Sequence, residues 1–331
     1  MEKAKVLCLR PQHDFTRAGV EIPQSLMMYY FPQFDEEKVL KEIEDADFLL
    51  SPSHYPPISA RLLERAKSLK LVQLCGSGYD SVDLEAAKKA KIPVARCPGQ
   101  NSRAVAQLSF VLMNVLNRGI LIADKEVKRG NYQEVRERLR REGTYELEGL
   151  ALGIIGMGPI GREMAKIGAF FGARQYYYDI IHLTPAEEET LNVTFLEMEE
   201  LLKISDVVTL HVPLNNSTYK LIGKREFSLM KQGAILINTS RGAIVDMEAM
   251  VEALRKNKLK GAAFDAFDEE PLPQNHFLLN LEEEIKERLI LTPHIGGTTR
   301  QSQKRMFEEA LRNILRVMHG ETPRYVVNDI K

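Results

Sequence analysis

The sequence has no surplus of charge of either sign. Its 45 lysine and arginine residues and 46 aspartate and glutamate residues leave a formal charge of −1 over 331 residues. Such a balance provides no field that would attract nucleic acid or an anionic membrane. The chain also lacks an apolar run of membrane-spanning length, and the segment Met1 to Arg10 is typical of a first strand rather than a signal sequence. We therefore expect neither nucleic acid nor a membrane as a partner.

Cysteine is scarce as well. Cys8, Cys75 and Cys97 lie far apart along the chain, without the spacing of a metal site. This usage favours a reduced, cytoplasmic protein over a disulfide framework, and we predict no metal centre. Internal repeats and low-complexity tracts are also missing. Because 331 residues exceed the usual length of a domain with one hydrophobic core, two domains are expected.

The most informative stretch is a glycine-rich turn between a strand and a helix. The apolar run Leu150 to Ile155 is typical of a buried parallel strand, and the segment Arg162 to Phe171 has helical composition. Between them stands a G-x-G-x-x-G pattern made of Gly156, Met157, Gly158, Pro159, Ile160 and Gly161. Glycines here let the backbone approach a pyrophosphate at the positive end of the helix, so the pattern predicts dinucleotide binding. A structural turn without ligand is the alternative.

Asp179 follows the next predicted strand, 18 residues after Gly161. At that separation a carboxylate meets the adenosine ribose, and it would repel the 2′-phosphate of NADP. We therefore predict NAD as the cofactor. Since Pro159 has no N–H, the phosphate hydrogen bonds are expected mostly from Met157, Gly158 and Ile160.

The first hundred residues alternate between strand-like and helix-like segments, which predicts an open parallel sheet covered by helices. The predicted strands are Lys5 to Leu9, Ala46 to Leu50, Leu69 to Cys75 and Pro93 to Cys97, and the predicted helices are Glu36 to Glu44, Ser59 to Lys67 and Leu84 to Ala90. Ligands bind at the carboxyl ends of such strands. Two loops follow there, Ser51 to His54 and Cys75 to Asp80, and the glycines of the second favour a backbone nest for a carboxylate. A plain tight turn is the alternative.

The segment Pro98 to Ser102 is a predicted hinge, and the helix Arg103 to Leu116 after it is apolar nearly all round. Such a helix needs burial on more than one side. A homodimer through this helix is the expectation, and a deeply buried core helix is the alternative. The charged segment Lys125 to Arg141 is most simply a solvated helical face and loop.

The alternation resumes after Asp179. Leu196 to Leu202 and Met247 to Arg255 are predicted helices, and Glu308 to Met318 is the predicted final helix; the predicted strands are Val207 to Leu210, Gly233 to Asn238, Gly261 to Ala266 and Leu289 to Thr292. Arg241 follows one of these strands beside the nucleotide crevice. Its guanidinium is suited to bidentate binding of a carboxylate.

Taken together, the motifs resemble those of the D-isomer-specific 2-hydroxyacid dehydrogenase family, over nearly the whole chain. The matching segments, in chain order, are Gly76 to Asp80, Gly156 to Gly161 with Asp179, His211 to Leu214, Ile237 to Gly242, Asp265 to Leu272 and Leu291 to Gly297. Gln175, Ser81 and Gln107 depart from residues that are common in the family. None of these departures touches Arg241 or His294.

The resemblance implies an α/β protein with two similar doubly wound parallel-sheet domains and an active site in the cleft between them. A Rossmann NAD-binding domain, residues 100–294, would be inserted into a flavodoxin-like substrate domain, residues 1–99 and 295–331. The implied catalytic residues are Arg241 for the substrate carboxylate and carbonyl, His294 as proton donor and acceptor, and Glu270 to orient His294. Further implied substrate contacts are Ser53, Ser77 and Gly78. Beyond the glycine turn and Asp179, the implied cofactor contacts are Val212, Pro213, Thr218, Thr239, Ser240, Arg241, Asp265, His294 and Gly296.

Hydride transfer to a ketone builds negative charge on its oxygen, so a cation and a proton donor should meet there. We therefore expect a dehydrogenase that interconverts a 2-oxo acid and a D-2-hydroxy acid, with glyoxylate, hydroxypyruvate, pyruvate or a bulkier acid as candidate substrates. Within the enzymes, a phosphoglycerate dehydrogenase and, less so, formate or phosphonate oxidation are alternatives. An NAD-binding corepressor of the same fold is the alternative outside catalysis.

Overall fold

The structure is a computed structural model that describes residues 3–330, and its backbone divides into two compact units. The first unit comprises residues 3–101 and 297–330, and the second comprises Ser102–Gly296. Each unit is a parallel sheet covered by helices, as the alternating pattern predicts.

In the first unit the sheet has the strand order β2-β1-β3-β4-β5, with every pairing parallel. Its strands are β1 (Ala4–Cys8), β2 (Leu26–Tyr30), β3 (Phe48–Pro52), β4 (Leu71–Cys75) and β5 (Val94–Ala95). Its helices are α1 (Gln12–Ala18), α2 (Glu36–Glu42), α3 (Ala60–Arg65), α4 (Leu84–Lys89) and, at the end of the chain, α14 (Arg300–Met318). This is the flavodoxin-like order, so that prediction is confirmed.

The structure corrects the expected elements of this unit in two places. Helix α1 and strand β2 were not predicted, although β2 pairs along its whole length with β1. The final helix was predicted to begin at Glu308, but α14 begins eight residues earlier. The Thr299 side chain accepts a hydrogen bond from the Ser302 N–H and caps the helix there.

The second unit holds a seven-stranded parallel sheet in the order β12-β11-β10-β9-β6-β7-β8. Its strands are β6 (Ala151–Ile155), β7 (Arg174–Tyr178), β8 (Val193–Phe195), β9 (Val207–Leu210), β10 (Ala234–Asn238), β11 (Leu259–Phe264) and β12 (Leu289–Leu291). Its helices are α5 (Ser102–Arg118), α6 (Ile120–Lys128), α7 (Tyr132–Glu142), α8 (Pro159–Phe170), α9 (Pro185–Leu191), α10 (Met198–Ile204), α11 (Lys224–Leu229), α12 (Met247–Arg255) and α13 (Glu283–Lys286). The chain builds outward from β6 on both sides, which is the doubly wound arrangement.

Many of the apolar residues of helix α5 are buried inside its own unit. It packs against α8, β10 and β11, and residues such as Ala106, Leu112 and Met113 are almost fully buried. Val111, by contrast, is 52% exposed. Within residues 3–330, no single helix has the length and apolarity to cross a membrane. Helices α5 and α6 meet that criterion only when taken together, and the chain bends by 58° between them.

Candidate active site

The predicted site residues of the second unit lie at one edge of its sheet. Because all seven strands are parallel, the loops that follow them share the carboxyl edge. The chain reverses its winding direction between the neighbouring strands β6 and β9, which forms a topological switch point. A crevice for a ligand is expected there. Gly156, after β6, approaches the backbone of His211, after β9, so closely that a Cβ on Gly156 would lie 2.7 Å from the His211 carbonyl.

The three glycines of the turn have different roles. Gly156 has φ +97°, a conformation that other residues rarely adopt, and a Cβ on Gly161 would lie 2.1 Å from the Gly156 carbonyl oxygen. Gly158 is different, because a Cβ there would meet no atom of residues 3–330 within 4 Å. This open space lies at the N-terminus of α8, where a helix favours negative charge. The turn therefore fits a dinucleotide pyrophosphate.

Asp179 stands at the end of β7, beside this turn. One carboxylate oxygen accepts a hydrogen bond from the Met157 N–H at 2.6 Å, and the other accepts one from the Ile181 N–H at 3.0 Å. The carboxylate is thereby held at the carboxyl edge, where a ribose would lie. The bond also directs the Met157 N–H toward Asp179, although this N–H was expected to donate to a phosphate.

The loop after β9 contains a buried histidine. The Nε2 atom of His211 is hydrogen bonded to the Thr209 hydroxyl at 2.9 Å, whereas Nδ1 is buried without a partner among the described residues. Burial lowers the pKa of His211 to about 3, so the imidazole is neutral. Thr218 lies further along the same loop, where its hydroxyl donates to the Pro213 carbonyl at 2.6 Å.

The loop after β10 carries Arg241 and is clamped by a buried amide. The Asn238 side chain donates to the Arg241 carbonyl at 2.8 Å and accepts from the Ser240 N–H at 3.0 Å. The Thr239 hydroxyl is bonded to that of Ser109 on α5 at 2.8 Å. Neither Asn238 nor Ser109 was a predicted site residue, because neither carries a charge, although Asn238 lies in the matching segment Ile237 to Gly242.

Glu270 and His294 form a direct pair. The His294 Nδ1 and Glu270 Oε2 atoms are 2.7 Å apart, with about a quarter and a fifth of the respective side chains exposed. The Phe267 N–H donates to the other Glu270 oxygen at 2.9 Å, which fixes the carboxylate. His294 itself has φ +53°, an uncommon conformation for a residue with a side chain. The contact with Glu270 fixes the orientation of the imidazole ring.

The Arg241 loop lies against the turn that holds Glu270. A Cβ on Gly242 would lie 2.3 Å from the Phe267 carbonyl carbon and 2.4 Å from the Asp268 nitrogen, so only glycine allows this approach. The guanidinium, the carboxylate and the imidazole therefore belong to neighbouring loops of one sheet edge.

Asp265 is 2% exposed, and both of its carboxylate oxygens accept hydrogen bonds from the loop that carries His294. One of its carboxylate oxygens accepts hydrogen bonds from the Thr292 hydroxyl at 2.6 Å and the Ile295 N–H at 2.9 Å. The other accepts from the Gly296 N–H at 2.8 Å. Asp265 thus binds the chain on both sides of His294.

In the first unit, the two predicted substrate loops lie side by side. A Cβ on Gly76 would lie 2.1 Å from the Ser53 hydroxyl oxygen, which places the ends of β3 and β4 in contact. The Ser77 hydroxyl is bonded to the Asn101 side chain at 3.2 Å, and the Ser77 carbonyl accepts from the Arg96 guanidinium at 2.8 Å. Gly78 follows in the same loop.

Comparison with known proteins agrees with this geometry. The family pattern described as "D-isomer specific 2-hydroxyacid dehydrogenase, NAD binding domain" matches residues 110–296. A glyoxylate reductase from Thermococcus litoralis is 38% identical over 292 residues, covering 88% of this chain and 86% of that protein. The chain belongs to the D-isomer-specific 2-hydroxyacid dehydrogenase family.

Two further dehydrogenases are similar to this chain. The crystal structure of D-lactate dehydrogenase from Aquifex aeolicus, complexed with NAD and lactic acid, superimposes with a TM-score of 0.82 at 29% identity and covers 96% of each chain. A D-3-phosphoglycerate dehydrogenase from Methanocaldococcus jannaschii is 36% identical over 88% of this chain and 54% of that protein. The present dehydrogenase uses NAD and interconverts a 2-oxo acid and a D-2-hydroxy acid, as predicted.

Proposed function

We propose that the enzyme reduces a small 2-oxo acid, glyoxylate first among the candidates, with His294 as the acid/base group. The observation that carries the proposal is the 2.7 Å contact between His294 Nδ1 and Glu270 Oε2 in a residue with positive φ. Relatives named glyoxylate reductase, at 36–38% identity over 88% of the chain, support the choice of substrate.

In the reducing direction, Arg241 binds the substrate carboxylate and faces the carbonyl oxygen, where it offsets the negative charge that develops. When bound at the glycine turn and Asp179, NADH would supply the hydride that adds to the carbonyl carbon. His294 donates the proton from Nε2 to the oxygen, which completes the hydroxyl group. Glu270 holds the ring through Nδ1 and fixes its orientation for the transfer. The oxidation of the hydroxy acid uses the same groups in reverse.

We assign the cofactor contacts to the carboxyl edge of the second unit. Gly158, Pro159 and Ile160 would meet the pyrophosphate, while Asp179 would meet the ribose hydroxyls. The remaining predicted contacts, at the loops after β9, β10 and β12, are Val212, Pro213, Thr218, Thr239, Ser240, Arg241, His294 and Gly296. Asp265, the other predicted contact, already accepts hydrogen bonds from the Thr292 hydroxyl and from the Ile295 and Gly296 N–H groups. The N–H groups of Ser77 and Gly78, with Ser53, would bind the substrate from the first unit.

The decisive experiment follows NADH oxidation with glyoxylate, hydroxypyruvate, pyruvate, a bulkier 2-oxo acid and 3-phosphohydroxypyruvate. We expect the highest kcat/KM with glyoxylate and at least about a 100-fold loss of kcat for His294→Gln, while the Kd for NADH stays nearly unchanged. Substantial turnover by His294→Gln would remove the acid/base assignment. A preference for 3-phosphohydroxypyruvate would favour the phosphoglycerate dehydrogenase alternative.

We also infer a homodimer. The exposed apolar surface near α5 supports it: Phe110 stacks on Phe171 with ring centroids 4.9 Å apart, and Phe170 is 84% exposed. Sedimentation velocity of the native chain should give twice the monomer mass, and Phe170→Ser with Val111→Ser should shift the protein toward monomer. A monomeric native chain would contradict the inference.

A reducing, cytoplasmic location is the accompanying proposal. Cys8, Cys75 and Cys97 are all free and buried, and burial raises the pKa of the Cys75 thiol to about 12. Such thiols are poor nucleophiles and suit a compartment that does not form disulfides. Fractionation of the source cells with an NADH-linked assay would test the location, and activity confined to a membrane or secreted fraction would contradict it.

A further inference from the structure

We propose that Asn238 and Asp265 form a buried polar frame that positions Arg241 and His294 relative to one another. The inference deepens the proposed function and rests on the roles assigned there to Arg241 and His294. Neither frame residue is required to touch the substrate, so both are positioning residues rather than catalytic ones.

Asn238 is the first half of this frame. It is fully buried as the last residue of β10, and its amide spans the turn that delivers Arg241. The amide nitrogen donates to the Arg241 carbonyl at 2.8 Å, while the oxygen accepts from both the N–H and the hydroxyl of Ser240, at 3.0 and 2.7 Å. The amide therefore fixes the backbone from which the guanidinium projects. A carboxylate in its place would keep the acceptor but lose the donor.

Asp265 is the second half, one residue beyond the end of β11. The hydrogen bonds that it accepts come from Thr292 before His294 and from Ile295 and Gly296 after it. These bonds close the chain around a residue with φ +53°. A strained backbone persists only where its surroundings over-determine it, and Asp265 supplies that restraint.

The two halves are joined through the sheet. The Asp265 N–H donates to the Asn238 carbonyl oxygen at 3.0 Å, as a continuation of the pairing between β10 and β11. A shift at either side chain therefore changes the separation between the guanidinium and the imidazole. This separation matters because both groups must meet the same carbonyl oxygen. A misplacement of about 1 Å can cost about 100-fold in rate.

An alternative role for Asp265 is direct contact with the nicotinamide carboxamide, which the family resemblance implies. The two roles differ in what they predict. A cofactor contact would act on the Kd for NADH and would remain important when His294 is absent. A positioning role acts through His294 and loses its effect once the imidazole is removed.

The test measures kcat, KM for glyoxylate and the Kd for NADH in the full-length enzyme. For Asn238→Asp, we expect kcat/KM to fall about 100-fold, mainly through a raised KM, because Arg241 binds the carboxylate. For Asp265→Asn, we expect a similar loss in kcat, with the Kd for NADH changed by less than about threefold. Thr292→Val removes only one bond to Asp265 and provides a milder variant if Asp265→Asn fails to fold.

Each change is then combined with the loss of the residue that it positions. Asn238→Asp should cost less than about threefold further in an Arg241→Gln enzyme, and Asp265→Asn should behave likewise in a His294→Gln enzyme. Ser205→Ala serves as the control, because Ser205 is a fully buried side chain of the same unit whose hydroxyl donates to the Leu201 carbonyl away from these loops. It should leave kcat/KM within about twofold of the native value.

The outcomes separate the inference from the function on which it rests. Full additional losses in the double variants, or single variants as active as Ser205→Ala, would overturn the frame while leaving the proposed reaction intact. If the main effect of Asp265→Asn is a raised Kd for NADH, Asp265 acts as a cofactor contact instead of a positioning residue. If Arg241→Gln and His294→Gln are themselves active, the proposed roles fail and the frame falls with them.

Discussion

At the scale of single residues, this enzyme places its polar side chains by local hydrogen bonds that the motifs alone do not reveal. His294 and Glu270 were predicted as a pair from their motifs, and they are in contact. The Met157 N–H was expected at a phosphate, but it donates to Asp179, 22 residues later. Asn238 was predicted as the end of a buried strand and as part of a matching family segment, without a role in the site. Sequence separation carries no information on such contacts, because they depend on the register of neighbouring strands.

His211 gives a prediction for stability against pH. In the folded protein its pKa is about 3, well below the value of about 6.5 for an exposed histidine. Below pH 6.5 the unfolded chain therefore binds a proton that the folded protein excludes, and the free energy of unfolding decreases as the pH falls toward 3. His211→Gln removes this contribution.

As the pH falls from 6.5 to 4, we expect the free energy of unfolding of His211→Gln to increase relative to that of the native protein. The change should amount to at most about 1.4 kcal/mol per pH unit. Urea denaturation at several pH values measures it. Parallel pH dependence of the two proteins would mean that His211 is protonated in the folded state.

At the scale of secondary structure elements, strongly patterned segments were predictable and short polar or edge segments were not. The run Leu150 to Ile155 and the glycines after it contain both the strand and the turn, and β6 and α8 follow accordingly. Strand β2 was missed because it lies at the edge of its sheet and alternates between buried and exposed residues over only five positions. The first two turns of α14 were missed because their sequence is largely polar, so the apolar stripe becomes visible only later.

The turn between β6 and α8 contains a glycine required by the backbone, Gly161, and one for which we propose contact with the pyrophosphate, Gly158. Gly161→Ala would force the backbone apart, since its Cβ would lie 2.1 Å from the Gly156 oxygen, and should destabilise the protein by about 2–3 kcal/mol. Gly158→Ala has free space and φ −69°, so it should melt near the native temperature. Its methyl group would, however, occupy the proposed pyrophosphate site.

We therefore expect Gly158→Ala to weaken NADH binding by ~10-fold or more while leaving the fold intact. Thermal denaturation and fluorescence titration with NADH distinguish the two effects. Native NADH affinity in Gly158→Ala would place the phosphates elsewhere.

Lys260 links the ends of two helices. Its ammonium group donates to the carbonyls of Asn117, in the last turn of α5, and Gly143, which ends α7, both at 3.0 Å. Cations stabilise helix C-termini, and hydrogen bonds to charged groups are among the stronger ones. Lys260→Met should lower the free energy of unfolding by about 2 kcal/mol. Lys256→Met is the matched control, because the Lys256 side chain is 75% exposed and forms a surface pair with Glu252. Equal stability of the two variants in urea denaturation would contradict this role.

At the scale of the whole molecule, each unit has hydrophobic cores of its own. The second unit has two core clusters, one that contains Leu236 and one that contains Ile237. All buried residues of both clusters lie within Ser102–Gly296. In the first unit, one cluster joins Phe15 and Leu50 of the amino-terminal part to Phe307 and Ile314 of α14. The two units should therefore differ in what they need in order to fold.

Residues 102–296 expressed alone should unfold in one cooperative transition and bind NADH with a Kd within about tenfold of the native value, because a domain with its own core folds independently. Residues 1–101 alone should not fold, since one face of their sheet would lose Met306, Phe307, Ala310, Leu311 and Ile314. Joining residues 297–331 to them through a flexible linker should restore a cooperative transition, as followed by circular dichroism. A stable fold of 1–101 without α14, or an unfolded 102–296, would show that the cores do not act as separate folding units.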